Sequence, residues 1–275
     1  MIISISGKAG SGKDTVGSII QDLTRKRTKG VSGLTKQEVT FIGDTDWQIK
    51  KYSDKLKDMV CILIGCTREE LEDQDFKATP LGKEWQGYRV SWHCPGNEFE
   101  DMIFSTEEDA VKWLNQEGAE TDIEQAYKDR CLFEIKLTPR DILQSLGTDF
   151  GRDMLHPNGW VNALFADYKF TDLAISKYRS AGFSSQSLHG DPYPNWIITD
   201  SRFPNDVKRT HEMGGILIRV NRAECEGRAN EHVSETALDD FNEWDYVIEN
   251  NGTIEELIEQ VRTILEEAGI IKKQE

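Results

Sequence analysis

Short apolar runs alternate with amphipathic segments along most of the chain. The first run, residues 2–6, precedes a segment from about Lys13 in which apolar residues recur at helical spacing. Further strand-like runs are QIKKYS, NWIITD, ILIRVN and YVIEN, and further helical patterns begin near Asp54, Thr138, Pro157, Pro204 and Ile254. Short buried strands that alternate with helices predict an α/β fold, in which a mostly parallel sheet is flanked by helices.

Residues 67–135 are less regular. Thr106 and Asp109 form a capping signal, which predicts a helix in STEEDAVKWLNQ. Aromatic residues around this helix indicate a small subdomain or a strand pair; they are Trp85, Tyr88, Trp92 and Phe99. Residues 24–33 are polar, and we interpret them as an exposed loop.

Composition excludes several classes of protein. The chain has 275 residues, 37% of them hydrophobic, and a net charge of −16. Proteins that bind a nucleic acid polymer usually present a basic surface, whereas a few arginines in a cleft can hold a small anion on an acidic protein. The apolar runs fall short of the roughly 20 residues of a membrane helix, and no basic leader precedes the first run. The odd number of cysteines, without C-x-x-C spacing, favours reduced packing thiols, so we expect a cytoplasmic protein.

The first candidate site follows the first strand. Residues 7–13 have the G-x-x-x-x-G-K spacing of a phosphate-binding loop, whose backbone N–H groups surround phosphate oxygens while Lys13 reaches the β- and γ-oxygens. The alternative is a tight strand–helix turn without a ligand. Asp14 stands where a hydroxyl is expected, and Thr15 comes one position late. The predicted loop residues are Gly7, Lys8, Ala9, Gly10, Ser11, Gly12, Lys13, Asp14 and Thr15.

Asp200 ends the run NWIITD, where a carboxylate can hold Mg²⁺ or its waters. The alternative is a cap on the helix that follows. Since parallel strands end at one edge of a sheet, we expect Asp200, the loop and Asn221–Arg222 in one crevice. Arginines there would stabilise the charge of a phosphoryl-transfer transition state, the alternative for each being a solvated surface charge. The candidates are Arg140, Arg152, Arg202, Arg222 and Arg228.

Three further residues are candidates for substrate contacts. Gln144 is suited to a base edge and Trp160 to stacking on a base, although a core tryptophan is an equal alternative. Lys55 lies at a helix start, where it contacts either a phosphate or solvent. His232, Ser234 and Glu235 lack the spacing of a hydrolase triad, and we assign them to a lid.

Taken together, these motifs resemble the bacteriophage deoxynucleoside monophosphate kinases, within the P-loop nucleoside monophosphate kinase superfamily. The stretches that carry the resemblance are SGKAGSGKDT, YSDKLKDMVCILIG, TPRDILQSLGTDFGRD, HPNGWV, WIITDSRFPNDV, GGILIRVNR and EHVSET. The resemblance implies a P-loop kinase domain over residues 1–275, with an acceptor-binding region at 52–160 and a lid at 222–236. Residues 85–130 show no obvious match and are interpreted as an insertion or a divergent subdomain.

The resemblance also implies a reaction. The γ-phosphoryl group of ATP would pass to the 5′-phosphate of a deoxynucleoside monophosphate, with Mg²⁺, to supply DNA synthesis. Such enzymes commonly carry Lys-Asp-Thr, so Asp14 would hold a magnesium-bound water or orient Lys13 and a lid arginine, and Thr15 is the alternative metal ligand. The implied partners are ATP and the deoxynucleotide, with no nucleic acid polymer and no membrane. A homodimer and the host cytoplasm are compatible with the resemblance.

Residue roles follow by resemblance. Asn250, in the turn 250–253, would lie near the adenine of ATP. The implied catalytic residues are Lys13, Asp14, Arg202, Arg222 and Arg228, and the implied metal ligands are Asp14, Thr15 and Asp200. The implied acceptor-site residues are Lys55, Arg140, Gln144, Arg152, Trp160 and Asp200.

Three other hypotheses about the function stay open. Another small-molecule P-loop kinase, acting on dephospho-coenzyme A or phosphomevalonate, shares a similar loop. A nucleotide-dependent switch would usually lack the second, arginine-lined anion site that residues 138–160 indicate. A structural α/β domain would leave the phosphate loop without a purpose.

Overall fold

The computed structural model describes residues 1–31, 38–92, 100–170, 193–225 and 233–273. Its strands are β1 (Ile2–Ser6), β2 (Arg27–Val31), β3 (Glu38–Ile42), β4 (Trp47–Lys50), β5 (Gln86–Trp92), β6 (Glu100–Phe104), β7 (Leu132–Lys136), β8 (Asn195–Ser201), β9 (Ile216–Asn221) and β10 (Tyr246–Glu249). Its α-helices are α1 (Lys13–Leu23), α2 (Ser53–Ile64), α3 (Arg68–Glu72), α4 (Gln74–Ala78), α5 (Glu107–Gln116), α6 (Ile123–Lys128), α7 (Pro139–Gln144), α8 (Gly159–Phe165), α9 (Pro204–Glu212), α10 (Val233–Thr236) and α11 (Ile254–Glu267). Within the described ranges, the helices are all too short or too polar to span a membrane.

The central sheet has five strands in the order β10-β9-β1-β8-β4, and neighbouring strands are parallel. β1 lies in the middle, with Ile3 in register with Ile197 on one side and Ile216 on the other. Every residue of β1 is buried, as expected of a strand covered on both faces. The predicted α/β fold with a parallel sheet is therefore confirmed.

Helices cover the two faces of this sheet. Ile3 and Ile5 of β1 point to the face on which Val16 of α1 and Val261 of α11 pack. The opposite face packs in two places: Trp196 and Ile198 meet α8 through Val161 and Leu164, and Leu217 meets α9 through Val207. The alternation of side chains along β1 thus places the core on both sides of the strand that leads into the phosphate loop.

The chain divides into two compact units, one formed by Met1–Lys55 with His156–Glu275 and the other by Leu56–Leu155. The second unit contains an antiparallel sheet in the order β6-β5-β7, and Val90 and Leu132 of this sheet pack with Leu114 of α5. Thr106 caps α5 as predicted, since its side chain accepts a hydrogen bond from the Asp109 N–H. That this part of the chain binds the acceptor stays a prediction.

The interpretation of residues 24–33 as a loop was wrong for residues 27–31. Arg27–Val31 forms β2, which pairs in antiparallel register with β3, Glu38–Ile42. The sequence RTKGV carries little apolar character, so the strand depends on its partner EVTFI for backbone hydrogen bonds and gives no clear alternation by itself.

The segment after β7 follows the predicted pattern. Thr138 and Asp141 form a reciprocal capping box, with Pro139 at the first helical position of α7. The helix then widens into a π-helix over Ser145–Leu155, which includes Arg152. π-Helical geometry is rare and recurs at functional sites.

Candidate active site

The phosphate loop joins β1 to α1 at the carboxyl edge of the parallel sheet. Gly12 caps α1 with a φ of 96°, which favours glycine, and a Cβ there would lie 2.5 Å from the Asn250 side-chain nitrogen. That nitrogen, Nδ2, donates a hydrogen bond of 2.8 Å to the carbonyl oxygen of Ser11. Asn250, which the resemblance places near adenine, therefore supports the backbone of the loop.

Lys13 is the first residue of α1, and its side chain is buried, with 8% of the residue exposed. Its Nζ donates to the carbonyl oxygen of Lys8 at 3.2 Å. Burial, together with the positive charge of Arg202, lowers the pKa of Lys13 to about 8. Two cations close to each other in a shielded site favour an anion between them.

Arg202 follows β8, and its side chain is 30% exposed. Its backbone N–H donates to Asp206 Oδ2 at 3.0 Å, which fixes the start of the turn before α9. Burial lowers the pKa of the Arg202 guanidinium, while Asp200 and Asp14 act in the opposite direction. Because Arg202 also acts on the pKa of Lys13, its guanidinium lies within electrostatic reach of the loop.

Asp14 stands where this loop usually carries a hydroxyl, and its carboxylate contacts one side chain of β8 and one that directly follows β4. Oδ1 accepts a 2.6 Å hydrogen bond from Thr199 Oγ1 and forms a 2.8 Å ion pair with Lys51 Nζ. Partial burial acts to raise the pKa of Asp14, but the bonds from Lys51 and Thr199 outweigh burial and hold it below the ordinary value. Asp14 therefore anchors α1 to the ends of β4 and β8.

Lys51 and Thr199 were missed by sequence analysis. The available signal was their position at the carboxyl ends of the parallel strands β4 and β8. Nothing local indicates that either one faces Asp14.

Asp200 caps a helix that is distant in sequence. Its Oδ1 accepts from the Tyr52 N–H at 2.8 Å, and its Oδ2 accepts from the N–H and the hydroxyl of Ser53 at 3.0 and 2.7 Å. Ser53 begins α2, so the carboxylate also lies at the positive end of that helix. Of the two alternatives, a cap is present, although it is made to α2 and not to the helix that follows Asp200. The magnesium role of Asp200 stays a prediction.

Oxygen atoms suited to magnesium are present at the loop. Asp14 and Asp200 supply carboxylates, and Thr15 supplies an exposed hydroxyl at the start of α1. In the described part of the chain, the His, Cys, Asp and Glu side chains form no group of three or more that could hold a metal. Mg²⁺ in kinase sites usually keeps several waters and takes phosphate ligands, so these oxygen donors fit such an ion.

A segment that begins with α10 contacts the first half of the loop. Glu235 Oε2 accepts a 2.7 Å hydrogen bond from the Ala9 N–H, and Oε1 forms an ion pair with Arg202. Asp239 Oδ2 pairs with Lys8 Nζ at 2.9 Å. Sequence analysis assigned Glu235 only to a lid and did not single out Asp239.

Other predicted residues have different partners. Lys55 Nζ donates to the Ala163 carbonyl at 2.6 Å and pairs with Asp167 at 2.9 Å, so its charge is held beside α8. Arg222 forms an exposed ion pair with Glu224 at 2.8 Å. Trp160 lies in α8, and Arg228 lies outside the described residues.

The remaining acceptor-site candidates belong to the unit Leu56–Leu155. Arg140 is exposed in α7, and its Nη2 donates to Gln74 Oε1 at 3.1 Å. Gln144 is exposed at the end of α7, and Arg152 is half-buried in the π-helix. Within this unit, the three residues therefore lie on one continuous helical segment.

A cavity of about 590 Å³ lies beside the carboxyl ends of β9 and β10. Arg222 and Asn251 line it, and Trp244 supplies an aromatic wall. Its volume lies within the range of small-molecule binding sites.

A parallel sheet with a lysine-bearing phosphate loop at its carboxyl edge, and with arginine and carboxylate side chains around that loop, defines a P-loop nucleotide kinase. Within this class, the chain belongs to the deoxynucleotide monophosphate kinase family, since the model of that family matches residues 97–261, more than half of the chain. The family resemblance predicted from the motifs is therefore confirmed.

Relatives come from viruses. The deoxynucleoside-5′-monophosphate kinase of Escherichia phage T5 is 24% identical over 254 residues, which are 86% of this chain and 85% of the phage protein. The deoxynucleotide monophosphate kinase of Escherichia phage RB69 is 26% identical over 126 residues, covering 46% of this chain and 44% of the relative. A protein of Acanthamoeba polyphaga mimivirus is 33% identical over 136 residues, covering 48% of this chain and 63% of the relative.

Proposed function

We propose that the protein transfers the γ-phosphoryl group of ATP to the 5′-phosphate of a deoxynucleoside monophosphate, giving ADP and a deoxynucleoside diphosphate. The observation that carries this proposal is the pair of shielded cations at the phosphate loop, Lys13 and Arg202, in a chain of the deoxynucleotide monophosphate kinase family. Phosphoryl transfer needs little covalent chemistry from the protein, and it depends on positioned cations and on aligned oxygens.

On the donor side, the N–H groups of the loop and Lys13 hold the ATP phosphates, and Arg202 binds the oxygens of the transferred group. Asp14, Thr15 and Asp200 would hold magnesium or its bound waters, and the two carboxylates already accept hydrogen bonds from the protein. Bound magnesium supplies positive charge to the phosphate oxygens.

We assign the adenine of ATP to the cavity beside β9 and β10. Trp244 offers an aromatic surface, and its Nε1 donates to the Phe241 carbonyl at 2.9 Å, which fixes the ring. Arg222 lies at the cavity wall and begins the predicted lid of residues 222–236, whose closure with Arg228 would exclude water from the transferred group.

On the acceptor side, we propose that Arg140 and Arg152 bind the 5′-phosphate, while Gln144 and Trp160 contact the base. An acceptor phosphate is largely anionic at neutral pH, so no protein base is needed to activate it.

Location and assembly are further proposals. The substrates are water-soluble nucleotides, so we place the protein in the cytoplasm of an infected cell. We also propose that the protein forms a homodimer. Light scattering of the purified chain tests this proposal, and a monomeric mass would contradict it.

The experiment that tests the reaction is a coupled ADP-release assay with Mg-ATP and a panel of deoxynucleoside and ribonucleoside monophosphates. We expect turnover with at least one deoxynucleotide, and the panel then gives the base preference. Dephospho-coenzyme A and phosphomevalonate serve as competing acceptors. Turnover with one of these alone, or ATP binding without turnover, would replace the proposal with another small-molecule kinase or a nucleotide switch.

A further inference from the structure

Glu235 bridges two parts of the candidate active site with its two carboxylate oxygens. Oε2 accepts from the Ala9 N–H of the phosphate loop at 2.7 Å, and Oε1 pairs with the Arg202 guanidinium. Ala9 follows β1 and Arg202 follows β8, so one side chain from a third segment links the ends of two neighbouring strands.

The Glu235 carboxylate is largely shielded from water, which strengthens its attraction to the Arg202 guanidinium. The Glu235 side chain is 16% exposed, although it belongs to a helix of four residues. Hydrogen bonds between ionised partners are stronger than neutral ones, and partial removal from water strengthens them further. Arg202 and Lys13 disfavour each other's charge, so a carboxylate on Arg202 stabilises the guanidinium where it stands.

Asp239, a second carboxylate of the segment that begins with α10, has different partners. Asp239 pairs with the buried Lys8 at 2.9 Å and lies 3.6 Å from Arg219, so it attaches the segment to the loop and to β9. The segment is thereby held at Lys8 and Ala9 together. Of the two acidic residues, Glu235 is the one that contacts a candidate catalytic arginine.

We propose that Glu235 is a positioning residue, which sets the Arg202 guanidinium against the phosphate loop for the transferred γ-phosphoryl group. The proposal rests on the proposed kinase function. A guanidinium has five N–H donors, so a carboxylate on one nitrogen leaves it the capacity to bind phosphate oxygens. Displacement of a positioned group by about 1 Å can reduce a rate about 100-fold, so fixing Arg202 in advance has a large effect on turnover.

The first test is a double-mutant cycle. Glu235→Gln keeps the size of the side chain and an oxygen for the Ala9 N–H, but it removes the charge that pairs with Arg202. We expect kcat to fall about 10- to 100-fold, while the KM values for ATP and acceptor change less than about threefold. In an Arg202→Ala background, the same substitution should change kcat less than about twofold, because the residue that it positions is absent.

Two controls accompany the cycle. Glu259→Gln removes an exposed carboxylate that pairs with Arg262 on α11, and we expect kcat within about twofold of the wild type. Melting temperatures identify any variant that fails to fold, and Arg202→Gln replaces Arg202→Ala if the latter does. Equal losses from Glu235→Gln with and without Arg202, or no loss at all, would overturn the proposal.

The second test needs no acceptor and no turnover, so it separates this proposal from the kinase function. Calorimetry compares ADP with β,γ-imido-ATP on the wild type and on Glu235→Gln. We expect ADP affinity within about twofold and the triphosphate analogue bound about two- to threefold more weakly, since the Arg202 guanidinium is no longer held in place for the γ-phosphate oxygens. Tighter binding of the analogue would overturn the proposal, because Glu235 would then compete with the γ-phosphate. Failure of the reaction itself would appear only as wild-type inactivity on the deoxynucleotide panel.

Discussion

The basic side chains at the phosphate loop and Arg140 of α7 are held in different ways. Lys13 is buried and Arg202 is partly buried, and burial lowers the pKa of both. Arg140 is exposed, and its guanidinium donates a hydrogen bond to the neutral amide oxygen of Gln74. Burying a charge is costly unless it is paired, so the first region keeps its cations in place with carboxylates such as Glu235.

The comparison teaches that the cations proposed for the donor side are held by the protein itself, whereas the exposed Arg140 would gain a charged partner from the proposed acceptor phosphate. Preorganised charges act without reorganisation during the reaction. On the proposed acceptor role, the exposed Arg140 would act mainly through substrate affinity. Substitutions on the two sides should therefore change different kinetic constants.

The largest expected effect is that of Lys13→Ala. Turnover should fall about 10³-fold, because the charge that reaches the β- and γ-oxygens is lost from a preorganised site. The measurement is kcat in the ADP-release assay. Lys26→Ala, at an exposed lysine paired with Asp46, is the matched control and should be near wild type. If Lys13→Ala turns over at a rate close to the wild type, the Lys13 charge has no role in the reaction.

A smaller effect, on a different constant, is expected for Arg140→Ala. The KM for the acceptor should rise about 10-fold, with little change in the KM for ATP, because an exposed charged hydrogen bond to the acceptor phosphate is lost. Initial rates at varied acceptor and ATP concentrations measure both. Arg25→Ala, at a half-exposed arginine near Asp22, serves as the control. An unchanged KM for the acceptor would show that Arg140 does not bind it, and the contrast between the two regions would not hold.

ATP affinity should depend on pH through Lys13. Its pKa is about 8 in the protein without nucleotide, and phosphate anions favour the charged form, so binding raises that pKa. Above pH 8 binding must therefore take up a proton, and affinity should fall about fivefold per pH unit. Calorimetry in two buffers of different ionisation enthalpy measures the proton uptake.

The control for this pH dependence is Lys13→Arg, whose side chain stays charged over the same range. It should remove the slope above pH 8. A slope that persists in Lys13→Arg would assign the titration to another group.

The smallest expected effect is that of Lys51→Met. Lys51 helps to hold the pKa of Asp14 below its ordinary value, so its loss raises that pKa. The fall in ATP affinity at acid pH, where Asp14 becomes protonated, should therefore begin at a higher pH than in the wild type. Activity at neutral pH should fall about threefold, as for a partly exposed ion pair. Lys50→Met, at the adjacent lysine over the Trp196 ring, is the control. If ATP affinity falls at the same acid pH in Lys51→Met as in the wild type, Asp14 ionisation does not affect ATP binding.

Much of the fold was predictable because its signals are local. A loop spacing of seven residues indicated the phosphate site, and Thr138 with Asp141 indicated the start of α7. The strand-like runs predicted the five parallel strands, and in β1 and β8 burial on both faces leaves a continuous hydrophobic run. Each of these patterns involves residues a few positions apart. The hairpin of β2 and β3 was missed because one of its strands is polar and gains stability from its partner.

The contacts that organise the site were decided by the tertiary structure. Asp14 meets Thr199, Asp200 meets Ser53, and Glu235 meets Ala9, although each pair is far apart in the chain. The sequence by itself determined that a phosphate loop follows β1 and that polar residues follow β8 and β9. Which carboxylate faces which cation depends on the order of strands in the sheet and on the packing of helices against it, and no local pattern of residues encodes either.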